Sequence, residues 1–314
     1  MAGRHKRRSF MLLWVFCLSV LVCQGVLEFD KTEPTTVSWS DLTCTITTKK
    51  QTKTILKSLD GEIKPGRLVA ILGPSGSGKT TLLNCLSGQL PYQKNQRLTG
   101  SLLINGKIPP ADPALRDQAY VRQEDLFYGG LTVAETLSLH AQLRLPRRFK
   151  SLEKEIYANE VMAKLGLAKC RDSVVGDPAL GLRGVSGGER KRLALGVELL
   201  SAPPLVFADE PTSGLDAAAA QVVVARLKDL TEEGKTVLMS IHQPRASIFE
   251  MIDDIILLSE GEVMYQGPAA KALKYFAELG HAPPGGASVS PAEYLLDLVA
   301  VDNSSPAAEQ ASRA

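Results

Sequence analysis

Apolar positions along this chain fall into two spacings, and the switches between them outline a fold. Val37 to Ile46, VSWSDLTCTI, is rich in β-branched residues and predicts an edge strand. RLVAIL (67–72) follows the turn residues Pro65 and Gly66 and predicts a buried strand, after which a helix opens at Lys79. SLLINGK predicts a strand ending in the Asn105–Gly106 turn. From about Leu131 to Leu200 the spacing is helical, interrupted at Pro146 and around Gly176 to Gly184. LVFAD (205–209), TVLMSI (236–241) and DIILLS (254–259) are then short and apolar throughout, as in strands buried on both faces of a mostly parallel sheet. Helical stretches separate them, so βαβ units and an α/β fold follow, with a last hairpin turned at Glu260–Gly261. No internal repeat is present.

Both ends depart from this pattern. Arg4, His5, Lys6, Arg7 and Arg8 precede an apolar run from Phe10 to Cys23, and no acid occurs before Glu28. About 14 helical residues reach ~21 Å, short of a ~30 Å bilayer core. Residues 1–29 therefore read as a cleaved signal or organelle transit peptide, an uncleaved anchor, or an extension without a role. The Ser/Ala/Pro-rich stretch 301–314 predicts a disordered tail.

Composition narrows the function class only slightly. With 36 Lys+Arg against 34 Asp+Glu the net charge is +2, too small to argue for a nucleic-acid partner. Five cysteines without a CxxC pair or a histidine cluster indicate neither a disulfide framework nor a zinc site. Cys44, Cys85 and Cys170 read as small buried residues.

The candidate chemistry begins at GPSGSGKT (73–80), which fits G-x-x-x-x-G-K-[ST] in full between a strand and a helix. Its glycines let backbone N–H groups approach a β-phosphate, and the helix terminus adds roughly half a positive charge. The expected nucleotide-binding residues are Gly73, Pro74, Ser75, Gly76, Ser77, Gly78, Lys79, Thr80 and Thr81. Lys79 is expected between β- and γ-phosphates, with the Thr80 hydroxyl on Mg2+. LVFADEP ends a strand in two acids: Asp209 is placed to hold the metal through water, and Glu210 to orient or deprotonate an attacking water.

VSGGERKR (185–192) resembles the signature loop of ATP-binding cassette (ABC) proteins. Gln123 in VRQEDLF resembles the Q-loop, SGLD (213–216) the D-loop and His242 in IHQP the switch histidine. The resemblance spans Val37 to about Val301. It implies a P-loop NTPase fold, a three-layer ABC ATPase core with a mixed sheet and an inserted helical signature subdomain. That subdomain is expected at about 131–200 inside a nucleotide-binding domain of residues 30–300, its signature helix starting near Gly187. ATP and Mg2+ are the implied cofactors and ATP hydrolysis the activity, with Lys79, Glu210 and His242 catalytic and Thr80, Gln123 and Asp209 at the metal. Asp216 falls in the D-loop. In the family the signature of one cassette covers ATP held by the P-loop of another. Ser186, Gly187, Gly188 and Glu189 are therefore expected at a partner cassette's ATP, in a head-to-tail dimer.

Ser186, Gly187 and Gly188 would open a helix whose free N–H groups face an anion. Arg190, Lys191 and Arg192 in its first turn oppose the helix dipole by roughly 0.3–1 kcal/mol each. Either a nearby anion offsets that cost, or the cations form a solvated face.

FADEPTSGLD, SIHQPR and SPAEYLLDLV resemble the G subfamily, the white-brown-complex half-transporters of plant type, and imply ATP-driven transport at a membrane. Two departures stand out. No Tyr or Phe lies between Cys44 and Lys53, where many cassettes stack an aromatic on adenine, and no apolar run after Ser259 approaches the ~20 residues of a spanning helix. The transmembrane domain is accordingly expected outside this chain, and a stand-alone cassette or regulatory scaffold is the alternative. The cassette is expected on an ATP-containing side, cytosol or plastid stroma. Since the basic leader would turn a spanning anchor the wrong way, an organelle-type leader or a segment that never spans fits better.

Overall fold

The computed structural model describes residues 34–48, 51–91, 95–177, 180–283 and 290–300. The leader and the tail expected at 301–314 lie outside them.

Two sheets organise the described residues. The larger has the order β5-β6-β7-β3-β8-β9, built from β3 (Leu68–Leu72), β5 (Gln118–Val121), β6 (Leu205–Ala208), β7 (Thr236–Ser240), β8 (Asp254–Ser259) and β9 (Glu262–Pro268). All pairings are parallel except the β8–β9 hairpin, so the sheet is mixed. The smaller is antiparallel, β2-β1-β4, formed by β1 (Val37–Thr47), β2 (Thr52–Ile63) and β4 (Gln96–Ile104). This corrects the reading of β1 as an edge strand, because β1 lies between two partners. Charges and Gly61 break the apolar alternation of β2, TKTILKSLDGEI, and hide a strand that pairs with β1 along its whole length.

Alternation along the large sheet divides the core in two. Val69, Ile71, Phe207, Leu238 and Ile256 face the antiparallel sheet and α1 (Lys79–Ser87). Leu68, Ala70, Val206, Met239 and Leu257 face the opposite layer of helices. That layer includes α2 (Val133–Arg144), α3 (Ser151–Lys164) and α4 (Gly187–Leu199), then α5 (Ala217–Glu232). The turn α6 (Ala246–Phe249) and helices α7 (Ala269–Glu278) and α8 (Pro291–Leu298) follow among the described residues. Helix α2 packs on α3 and α4, and buried Lys154 closes the α2–α3 turn by donating to the carbonyls of Gln142 and Leu145. Cys44, Cys85 and Cys170 are buried free thiols. No helix among the described residues is long and apolar enough to cross a membrane.

Candidate functional site

The first residues of the site follow directly from β3. The chain leaves the sheet at Gly73, where an added Cβ would run into the Leu258 carbonyl, so the loop lies flat on β8. Gly78 then caps α1 at φ +105, a conformation that favours glycine. Lys79 is buried and folds back across the loop, its Nζ donating to the carbonyls of Gly73 (2.9 Å) and Pro74 (3.0 Å). Burial holds its pKa below the usual lysine range, with Glu210 and Asp209 pulling the other way. The buried Ser77 hydroxyl has no hydrogen-bond partner, Ser75 and Gly76 are exposed, and nothing would meet a Cβ at Gly76. The loop thus combines a held cation, an orphan hydroxyl, an open rim and an uncapped helix start. A phosphate fits it.

The acids come from the neighbouring strand end. Asp209 follows β6 and is buried; its Oδ1 accepts from the Thr80 hydroxyl at 3.1 Å and the Ser240 hydroxyl at 2.6 Å. Glu210 has φ +44, a left-handed conformation uncommon for a non-glycine residue. Its N–H donates to Ser240 Oγ at 2.9 Å, and its carboxylate accepts from Gln123 Nε2 at 3.0 Å. Tyr120 donates to Asn84 at 2.6 Å, and burial, then the charge of Asp209, pushes its pKa above the ordinary tyrosine range. Exposed His242 lies two residues beyond Ser240, next to Ile241, whose N–H donates to Ile71 just before the phosphate loop. Lys79 and Thr80 open α1 just after the loop that leaves β3, while Gln123 follows β5, Asp209 and Glu210 follow β6, and His242 follows β7, so all six lie on the carboxyl side of the sheet. Thr80 and Asp209 offer the hard oxygens Mg2+ takes beside substrate phosphates. Among the described residues no cluster of three or more acids, histidines or cysteines forms a separate metal cage.

Ser186, Gly187, Gly188 and Glu189 occupy a different neighbourhood. Ser186 Oγ accepts from Glu189 N–H, while the Glu189 carboxylate accepts from the N–H and hydroxyl of Ser186, both at 2.8 Å. This capping box qualifies the expectation of free N–H groups at that terminus, since the Glu189 N–H already has an acceptor. It also holds the Glu189 carboxyl below the usual carboxylate range, the Ser186 N–H being the largest cause. Buried Gly188 has a packing reason as well: a Cβ there would stand 2.9 Å from that of Ala219 on α5. Asp216 caps α5, accepting from Ala218 and Ala219 N–H at 3.0 and 2.9 Å.

Arg190 and Lys191 of this helix are not part of a solvated face. Lys191 is buried against Asp125 at 2.8 Å and also donates to the carbonyls of Arg122 and Gln123. Arg190 donates to the carbonyls of Gly176 and Asp125 and lies over the Phe127 ring. The offsetting anion is thus Asp125, and the pair ties α4 to the segment carrying Gln123. Sequence reasoning missed this clamp and Ser240. A hydroxyl ending the apolar run TVLMS, and an acid two residues after Gln123, were the available signals. A cavity of about 340 Å³ lined by Ile104, Ile108, Leu115 and Leu205 lies at the start of β6, the other strand end from Asp209, and is separate from these groups.

The family model described as ABC transporter matches residues 56–213, half of the chain. The chain belongs to the ABC transporter family. A second model, ABC-2 type transporter, matches residues 242–311. The chain is 50% identical over 279 residues to ABC transporter G family member 7 of Arabidopsis thaliana, covering 88% of this chain and 38% of that protein. It is 45% identical over 258 residues to the broad substrate specificity ATP-binding cassette transporter ABCG2 of Rattus norvegicus, covering 82% and 38%. It therefore spans well under half the length of these relatives, and its likeness is to G-family cassettes. Among solved structures, the dimeric bacterial ABC transporter cassette MJ0796 superposes with a TM-score of 0.61 at 28% identity, covering 74% of this chain and 98% of that one. Its post-hydrolysis dimer bound to ADP and Pi gives 0.60 at 26% identity, with the same coverage. The α/β P-loop fold expected for an ABC ATPase is thereby established.

Proposed function

We propose that this chain binds MgATP and hydrolyses it as one of two paired cassettes, and that this hydrolysis drives transmembrane transport in a G-family transporter. The observation that carries the reading is one hydrogen-bonded network, Thr80–Asp209–Ser240–Glu210, set against the phosphate loop. Lys79 would exchange its two carbonyl partners for phosphate oxygens, and Ser77 would gain the partner it lacks. Thr80 and Asp209, with Gln123 nearby, would hold Mg2+, which when bound neutralises phosphate charge. Glu210 would leave Gln123, orient the attacking water and take up its proton, while His242 faces the γ-phosphate. Ser186, Gly187, Gly188 and Glu189 would meet the nucleotide of the second cassette, with Asp216 close to the shared face. The dimeric form of the similar bacterial cassettes supports the pairing, and the G-family relatives support a location at a membrane on its ATP-containing side.

ATP titration of the full chain with and without Mg2+, beside Lys79→Ala, tests this reading. The wild type should bind saturably and more tightly with Mg2+. Lys79→Ala should lose at least about 100-fold in affinity at an unchanged melting temperature, because charge-assisted contacts of ~1.5–3 kcal/mol each disappear. Equal affinity in the variant would remove the phosphate loop from the account.

A further inference from the structure

We propose that Ser240 is a positioning residue that sets the geometry of both acids, Asp209 toward the metal and Glu210 toward water; the proposal rests on the MgATP reading above. Ser240 ends β7, which lies between the acid-bearing β6 and the β3 strand that feeds the phosphate loop. It is fully buried at the end of an otherwise apolar strand interior, VLM, so packing alone does not call for a hydroxyl there. That one oxygen touches both acids, donating to Asp209 Oδ1 at 2.6 Å and accepting from the Glu210 N–H at 2.9 Å.

The hydrogen-bond directions are forced. An ionised carboxylate only accepts and an amide N–H only donates, so the single hydroxyl proton goes to Asp209 and a lone pair to Glu210. Each bond constrains something the chemistry needs. The first fixes the same Oδ1 that Thr80 reaches, so the two metal-side groups are held in one arrangement. The second holds Glu210 in its left-handed conformation, which is strained for a non-glycine residue and persists only where the surroundings over-determine it. That turn carries the Glu210 side chain to Gln123. Without the hydroxyl, Asp209 loses its shortest contact and Glu210 loses the anchor of its strained backbone.

The test uses the full chain, ATP, and Mn2+ as a paramagnetic stand-in for Mg2+, with bound metal read by electron paramagnetic resonance. Ser240→Ala should weaken Mn2+ binding to the nucleotide complex by about 10–100-fold, the usual cost of removing a partner that orients a metal ligand. Its affinity for ATP without metal should stay at the wild-type value. Ser240→Cys, similar in size but a weak donor, should fall between. Should Ser240→Ala not fold, Ser240→Cys carries the test with the same direction expected. Wild-type Mn2+ affinity in the folded variant would overturn the proposal. So would an equal loss of metal-free ATP affinity, which would reduce Ser240 to general packing. A wild type whose ATP binding is indifferent to Mn2+ would overturn the MgATP reading itself, and this inference with it.

Discussion

Two helices of this chain begin in glycine-rich loops, and they treat their N-termini in opposite ways. Helix α1 starts behind Gly78 with no side-chain cap, no acid in its first turn, and an orphan Ser77 hydroxyl beside it. Helix α4 starts behind Ser186, which is locked with Glu189 in a reciprocal cap. An uncapped, dipole-positive terminus is open to an external anion, whereas a capped one has met part of its own need. The difference fits the roles proposed above, in which α1 would hold nucleotide within a single chain and α4 would meet the nucleotide of a partner.

The largest effect that would sharpen this contrast lies on the α1 side. Glu210→Gln keeps the shape, removes the charge and should slow hydrolysis by ~10²–10⁴ with ATP binding retained or improved. The nucleotide-bound pair should accumulate, visible by size-exclusion chromatography with ATP. Hydrolysis at the wild-type rate would take the water-activating role from Glu210.

On the α4 side the expected effects concern stability. Lys191→Met leaves Asp125 buried without its cation and should cost about 3–5 kcal/mol in urea unfolding. Burial is also the main reason the Asp125 carboxyl titrates above its usual range. Lys191→Met with Asp125→Leu should therefore recover most of that loss, and a double variant as unstable as the single one would contradict the clamp. The smallest effect is at the cap. Ser186→Ala should cost about 1 kcal/mol. Because Glu189 titrates below its usual range, its contribution is complete above the ordinary carboxylate range and is lost as pH falls through its lowered folded value. Glu189→Gln should flatten that acid limb in a stability profile against pH; an unchanged limb would assign it to other carboxylates.

How much of this was legible in sequence follows from distance along the chain. GPSGSGKT, LVFAD and TVLMSI are local patterns whose meaning is fixed by their immediate neighbours, and the structure brings their ends together at the carboxyl ends of adjacent interior strands. Strand β1 was misplaced because its neighbour β2 carries charges on its exposed face that mask the alternation. The Lys191–Asp125 contact joins residues 66 apart and the Ser240–Asp209 contact residues 31 apart. Neither pairing leaves a periodic trace, since each depends on how α4 and β7 are packed. The cap at Ser186 was legible in part: S-x-x-E is a capping-box pattern, but the same residues also read as a phosphate-facing loop.

Mixing two inactive variants asks whether α1 of one chain works with α4 of another. Lys79→Ala should lose nucleotide binding and keep a sound signature helix. Gly187→Glu should bind ATP and keep α4, since an acid suits a helix start, yet place a negative charge where a partner's phosphate arrives. Each alone should be inactive. Mixed in equal amounts, they should recover roughly a quarter of wild-type phosphate release, because half of randomly formed pairs are mixed and each contains one intact site of two. Recovery on mixing confirms that α1 of one chain works with α4 of another. Full activity of Gly187→Glu alone, or no recovery in a mixture shown to pair, would contradict it.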